Sequence, residues 1–114
     1  MDLTIYLIVR TDLKMQRGKI AAQCGHAVEN LVHRCPHTIY QKYSDNAHPK
    51  VVLAVASLKE FEELRSDCYK AHIAWHVVTD AGKTQVKPGT QTVLGVGPVS
   101  KKNVPASISN LKLL

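Results

Sequence analysis

The sequence predicts a single three-layer α/β domain over residues 1–114, a mixed four-stranded sheet flanked by helices on both faces. Two observations carry that expectation. Three short, nearly unbroken apolar runs rich in β-branched residues alternate with segments whose apolar positions recur at helical spacing. A fourth apolar run then follows a polar loop rather than a helix, so the sheet should be mixed. A chain of 114 residues suits one core, burying roughly 65% of the surface that its unfolded form exposes.

The elements follow in order. Leu3–Arg10 (LTIYLIVR) is the first strand, with the continuous apolar character of a strand covered on both faces. After the polar connector TDLKMQRG, a helix should run from Gly18 to about His33, with Ile20, Cys24, Ala27, Val28 and Leu31 on its inward stripe. Pro36 suits the first turn of a second short helix, His37 to Tyr43, which ends before the breakers SDNAHP. Lys50 to Ala56 is the second strand. Ser57 and Glu60 form a capping box for a helix through about Ala71, with Leu58, Phe61, Leu64 and Cys68 inward. Ile73 to Thr79 is the third strand and Thr92 to Val96 the fourth, beyond the turn signal Pro88-Gly89. The tail reads as a weak helical stretch from Ser100, interrupted by Pro105, before the apolar ending LKLL. Two strand-helix-strand passages imply parallel neighbours.

Fifteen Lys and Arg against nine Asp and Glu give a net charge of +6. Such a surplus draws polyanions, so nucleic acid is the leading partner class. Cys24, Cys35 and Cys68 are odd in number and widely spaced, without C-x-x-C, which points to a reducing compartment rather than a disulfide framework. The opening MDLTIYLIVR has no basic leader, and its apolar stretch is far shorter than the ~20 residues of a membrane span. A cytoplasmic protein with no membrane anchor is the expectation.

Ligands of open α/β sheets sit beyond the carboxyl ends of the strands. The loops after the first and third strands both emerge there, one leading into Lys19 and the other beginning at Asp80. Lys19, Gln23, His26 and Asn30 line up along the helix opposite its apolar stripe, a row of groups able to bond a ligand or simply to face water. With the hydroxyls of Thr84 and Thr92, Lys19 and Asp80 could hold a water and an oxyanion.

Two other patterns weaken on inspection. DAGKT (Asp80–Thr84) ends like a P-loop, but the glycine required five residues before Gly82 is Val77, inside a predicted strand, and Pro88-Gly89 stands where the following helix would begin. Cys24, His26, His33, Cys35 and His37 are zinc-ligand types, yet Cys24 and His26 point to different sides of one helix, so no metal is expected. No Ser/His/Asp or Cys/His nucleophile arrangement stands out.

RTDLKMQRGKIAAQCGHA (Arg10 to Ala27) and DAGKTQVKPGTQTVLGVGP (Asp80 to Pro98) closely resemble the two signature stretches of type 2 peptidyl-tRNA hydrolases, the archaeal and eukaryotic form. KVVLAVAS and the ending LKLL agree in place, so the likeness spans nearly the whole chain. Two departures stand out: Pro105 falls where an uninterrupted helix is usual, and Gln16 where Gly is frequent.

The resemblance implies hydrolysis of the ester joining a peptide to the terminal ribose of tRNA, with no cofactor, in a protein that is commonly a homodimer. Carried over residue by residue, it places the catalytic groups on Lys19, Asp80, Thr84 and Thr92, with Gln23 and His26 in the same cleft. A positioned water, without a covalent intermediate, suits so labile an ester. Lys14, Arg17, Lys83, Lys87, Lys101 and Lys102 are candidates for holding the tRNA backbone. A module that binds RNA or protein in the same basic cleft without turnover is the alternative.

Overall fold

The computed structural model describes residues 2–82 and 86–114. The elements run β1 (Leu3–Arg10), a 3-10 turn (Thr11–Leu13), α1 (Arg17–Arg34), α2 (His37–Asp45), β2 (Lys50–Val55), α3 (Leu58–Lys70), β3 (Trp75–Thr79) and β4 (Gln91–Ser100). A second 3-10 turn (Lys101–Asn103) and the short α4 (Ala106–Ser109) follow. The strand order is β2-β1-β4-β3. β1 pairs parallel with β2 and antiparallel with β4, which pairs antiparallel with β3. The mixed α/β sheet is therefore as expected.

Alternation along β1 explains its unbroken apolar run. Leu3, Ile5, Leu7 and Val9 join the cluster with Ala27 and Leu31 of α1 and Tyr43 of α2. Tyr6 and Ile8 join the opposite cluster, with Phe61, Leu64 and Cys68 of α3 and Ile108 of α4. A strand with helices on both faces has no solvent side on which to place polar residues.

Two expectations change. β2 and β3 are not neighbours: β1 and β4 lie between them, although the two antiparallel pairings leave β3 running in the same direction as β1 and β2. β4 extends to Ser100, well past Val96, because pairing with β1 resumes at Val99 and Ser100 after a register shift at Gly97-Pro98. The tail is broken as read: the 3-10 turn Lys101–Asn103 stops before Pro105, which then serves as the N-cap of α4. The ending LKLL lies along the outer edge of β2, where Ala54 N donates to Lys112 O at 2.9 Å and Leu114 N to Val52 O at 3.1 Å.

The capping box forms as read: Ser57 Oγ accepts from Glu60 N at 3.1 Å, and its hydroxyl contacts Glu60 Oε1 at 3.3 Å. The inward face of α1 is shifted, however, because Gln23, Ala27 and Leu31 are its buried residues. Lys19 and Gln23 thus lie toward the sheet rather than opposite it. The helix sits so close to β4 that a Cβ on Gly95 would stand 2.9 Å from Leu31 Cδ1 and 3.0 Å from Ala27 Cβ. Gly95→Val should therefore push α1 off the sheet and cost roughly 1–3 kcal/mol in urea unfolding. A variant as stable as the parent would show that this close approach is not required.

Candidate active site

The site lies where β3 ends, β4 begins and α1 starts. Asp80 follows β3 directly and is 4% exposed. Lys19, in the first turn of α1, donates from Nζ to Asp80 Oδ1, and the two side chains are 10% and 2% exposed. Gly82 N donates to Asp80 Oδ2 at 2.7 Å, so the loop wraps its own carboxylate in an Asx-type turn. Gly82 has φ +82°, and a Cβ there would collide with the Pro88 ring, 2.3 Å from Cγ. The backbone of Asp80 is also fixed: its N–H donates to Thr90 O at 2.8 Å, and its carbonyl accepts from Gly89 N at 3.0 Å.

Beside this ion pair runs a buried hydrogen-bond chain. Gln23 Nε2 donates to Thr92 Oγ1 at 2.8 Å, and Thr92 Oγ1 donates to Val78 O at 3.3 Å. The backbone explains why Thr92 is aimed there. Val78 pairs with Val93 but Thr79 pairs with Gln91, leaving Thr92 as an extra residue in β4. A bulge of this kind redirects a side chain.

The helix beginning adds positive character. Gln16, the N-cap of α1, makes no side-chain capping bond, and the first turn holds no acidic residue. The N–H groups of that turn, the exposed Arg17 and the ion-paired Lys19 give this end of α1 a positive character that attracts anions.

A thiolate nucleophile does not fit this setting. Burial pushes the Cys24 thiol up from its ordinary pKa, and on the far face burial with Asp67 nearby raises that of Cys68 to about 11. Both therefore stay as unreactive thiols at neutral pH.

The family model for peptidyl-tRNA hydrolase PTH2 matches residues 3–114. The chain belongs to that family. A peptidyl-tRNA hydrolase of Sulfurisphaera tokodaii is 36% identical over 115 residues, covering 95% of each chain. One from Methanothermobacter thermautotrophicus is 40% identical over 108 residues, covering 95% of this chain and 96% of the relative. The probable peptidyl-tRNA hydrolase 2 of Drosophila melanogaster is 35% identical over 112 residues, which cover 95% of this chain and 60% of that longer protein.

Of the residues singled out in this PTH2 chain, the structure brings Lys19, Gln23, Asp80 and Thr92 together. His26 is exposed one turn further along α1. Lys14 and Arg17 are exposed just before and at the start of α1, and Lys87 is exposed in the β3–β4 loop, so all three ring the same end of the sheet. Lys101 and Lys102 do not. They follow Ser100 at the far end of the ten-residue β4, about 30 Å from its beginning at ~3.3 Å per residue. Lys83 and Thr84 lie outside the described residues. Val77 lies within β3, and Pro88-Gly89 forms a turn, so no helix follows the DAGKT stretch as a P-loop would require.

One residue that orders the site was not singled out from sequence. Arg10, 8% exposed at the end of β1, donates to Asp12 Oδ2 at 2.6 Å and to Gln91 O at 3.0 Å. It ties the loop leading to α1 to the start of β4. The signal was present: a charge closing a buried apolar run needs a partner nearby.

Two measurements check this geometry. Gln23→Ala should leave the buried Thr92 hydroxyl with a single partner and cost roughly 1–3 kcal/mol in urea unfolding. Cys24→Ala should retain the parent's hydrolytic rate, and a large loss would reinstate the thiol.

Proposed function

We propose that this protein hydrolyses the ester linking a peptide, or an N-blocked aminoacyl group, to the terminal ribose of tRNA, using a positioned water and no covalent enzyme intermediate. Family membership and the names of the relatives support the ester-hydrolase reading. The observation that carries the mechanism is the buried Lys19–Asp80 pair beside the Gln23–Thr92 chain.

In this reading Asp80, its backbone clamped on both sides, orients the attacking water and receives its proton. Attack on the ester carbonyl puts negative charge on the carbonyl oxygen. The Lys19 ammonium and the N–H groups opening α1 offset that charge, a contribution felt most in the transition state. Thr92, fixed by Gln23 and Val78, offers its hydroxyl oxygen to the water, and Thr84 is assigned a similar task with the ester. The ribose hydroxyl leaves with a proton from solvent or from the site. Such a reaction asks for orientation rather than a cofactor.

Lys14, Arg17, Lys83 and Lys87 are assigned to the phosphates of the acceptor end, with Gln23 and His26 lining the cleft. Backbone contacts of this kind position the RNA without reading its sequence. The reading also includes tRNA binding in the cytoplasm, where translation supplies the substrate, and a homodimer. No described helix is long and apolar enough to cross a membrane.

The test offers N-acetyl-aminoacyl-tRNA and free aminoacyl-tRNA to the purified protein at low salt. Release of the acyl group from the blocked substrate alone is expected, declining steeply with added salt. No cleavage of the blocked substrate overturns the proposal. Asp80→Ala and Lys19→Ala, checked for folding by circular dichroism, should each slow turnover by about 100-fold or more. Acid-quenched reactions should leave the protein mass unchanged, whereas an acyl adduct would contradict direct attack by water.

A further inference from the structure

The two edges of the sheet are treated differently. The outer edge of β2 is covered by the chain's own ending, through the bonds to Lys112 and Leu114. β3 is the other edge, and no fifth strand pairs with it among the described residues. Gly97 N donates to Ala74 O, Thr92 Oγ1 to Val78 O, and Asp80 N to Thr90 O, so the even-numbered backbone groups of this stretch face β4. The odd-numbered ones face outward. Of these, the Trp75 carbonyl accepts from Arg34 Nη2 at 2.8 Å. The outward groups of Val77 and Thr79 have no partner among the described residues.

A groove of about 760 Å³ lies beside this edge, lined by His26, Asn30 and His33 of α1, Tyr40 of α2 and His76 of β3. It begins one turn along α1 from Gln23, and its size is that of an ordinary ligand cleft. Asn30 Oδ1 is buried in its wall with no hydrogen-bond partner among the described residues.

We propose that the peptide portion of the substrate binds as an added strand on β3, parallel to it, with its ester end at Asp80. This rests on the hydrolase reading above. The polarity follows from the fold: β3 runs toward Asp80, so a peptide whose carboxyl-terminal ester lies at Asp80 must run the same way. In a parallel ladder, each residue bonds the two residues flanking its partner. The ester-bearing residue stands opposite Asp80, and the residue two before it stands opposite Val78. The N–H of that residue donates to the Val77 carbonyl, and its carbonyl accepts from the Thr79 N–H. Recognition by main-chain groups suits an enzyme that must release peptides of any sequence.

The test compares kcat/KM of the whole protein on tRNA carrying N-acetyl-aminoacyl, N-acetyl-tripeptidyl and N-acetyl-pentapeptidyl groups. A gain of about tenfold from one residue to three is expected, as two added hydrogen bonds would supply. N-methylation of the residue two before the ester should abolish that gain, whereas changing its side chain should not. Val77→Pro removes an outward N–H, leaves the inward ladder alone and should lower kcat/KM for the pentapeptide. It should leave that for the single-residue substrate unchanged. Equal kcat/KM across the series, or an N-methylated substrate cleaved as well as its parent, overturns the strand addition and leaves the hydrolase reading standing. Cleavage of none of them overturns both. Loss of self-association in Val77→Pro, with no length dependence in the parent, assigns the edge to a second copy of the chain and overturns the proposal.

Discussion

The site depends on one buried ion pair, and much of the fold serves to form it. Two charges with side chains only 10% and 2% exposed lose most of their hydration, and removing either partner of such a pair strands the other at a cost of roughly 3–5 kcal/mol. Lys19 and Asp80 meet because α1 starts and β3 ends at the same edge of the sheet, an arrangement that follows from the parallel course of β1 and β3. Gly95 lets α1 lie close enough for Lys19 and Gln23 to reach inward. Arg10 fixes the loop before α1 to the start of β4. The pair is weak as a source of stability but strong as a source of geometry, since only one relative placement of helix and strand satisfies both charges.

The Gln23–Thr92–Val78 chain makes the neighbouring polar groups equally determinate. A buried glutamine amide and a buried hydroxyl must find partners, and here they find each other. The bulge that turns Thr92 inward departs from regular pairing at the position where the chemistry is assigned. Local irregularity of this kind is expected at sites, because regular alternation would send the side chain to the other face of the sheet.

Much of this was legible in the amino-acid order. The alternation of apolar runs and helical segments predicted the sheet and its helices, and β1 has the limits read from LTIYLIVR. The convergence of Lys19 and Asp80 followed from the rule that loops at the carboxyl ends of strands share one rim. What was not legible was tertiary in origin. The insertion of β4 between β1 and β3 depends on pairings between distant segments, and the length of β4 depends on pairing with β1 that resumes beyond Gly97-Pro98. The inward turn of Gln23 could not be read from periodicity, because its amide counts as polar until Thr92 is placed opposite it. Lys101 and Lys102 look like the other basic candidates in sequence, and only the direction of β4 carries them to the far end.

The central claim is that Lys19 and Asp80 act as one unit on the ester. A double-mutant cycle under single-turnover conditions tests it most directly, with Lys19→Ala, Asp80→Ala and the double variant acting on N-acetyl-aminoacyl-tRNA. The account predicts that the double variant is about as slow as either single one, since groups that work as a unit lose their effect together. Losses that multiply would mean that the two residues act independently, and a double variant as fast as the parent would remove the pair from the chemistry.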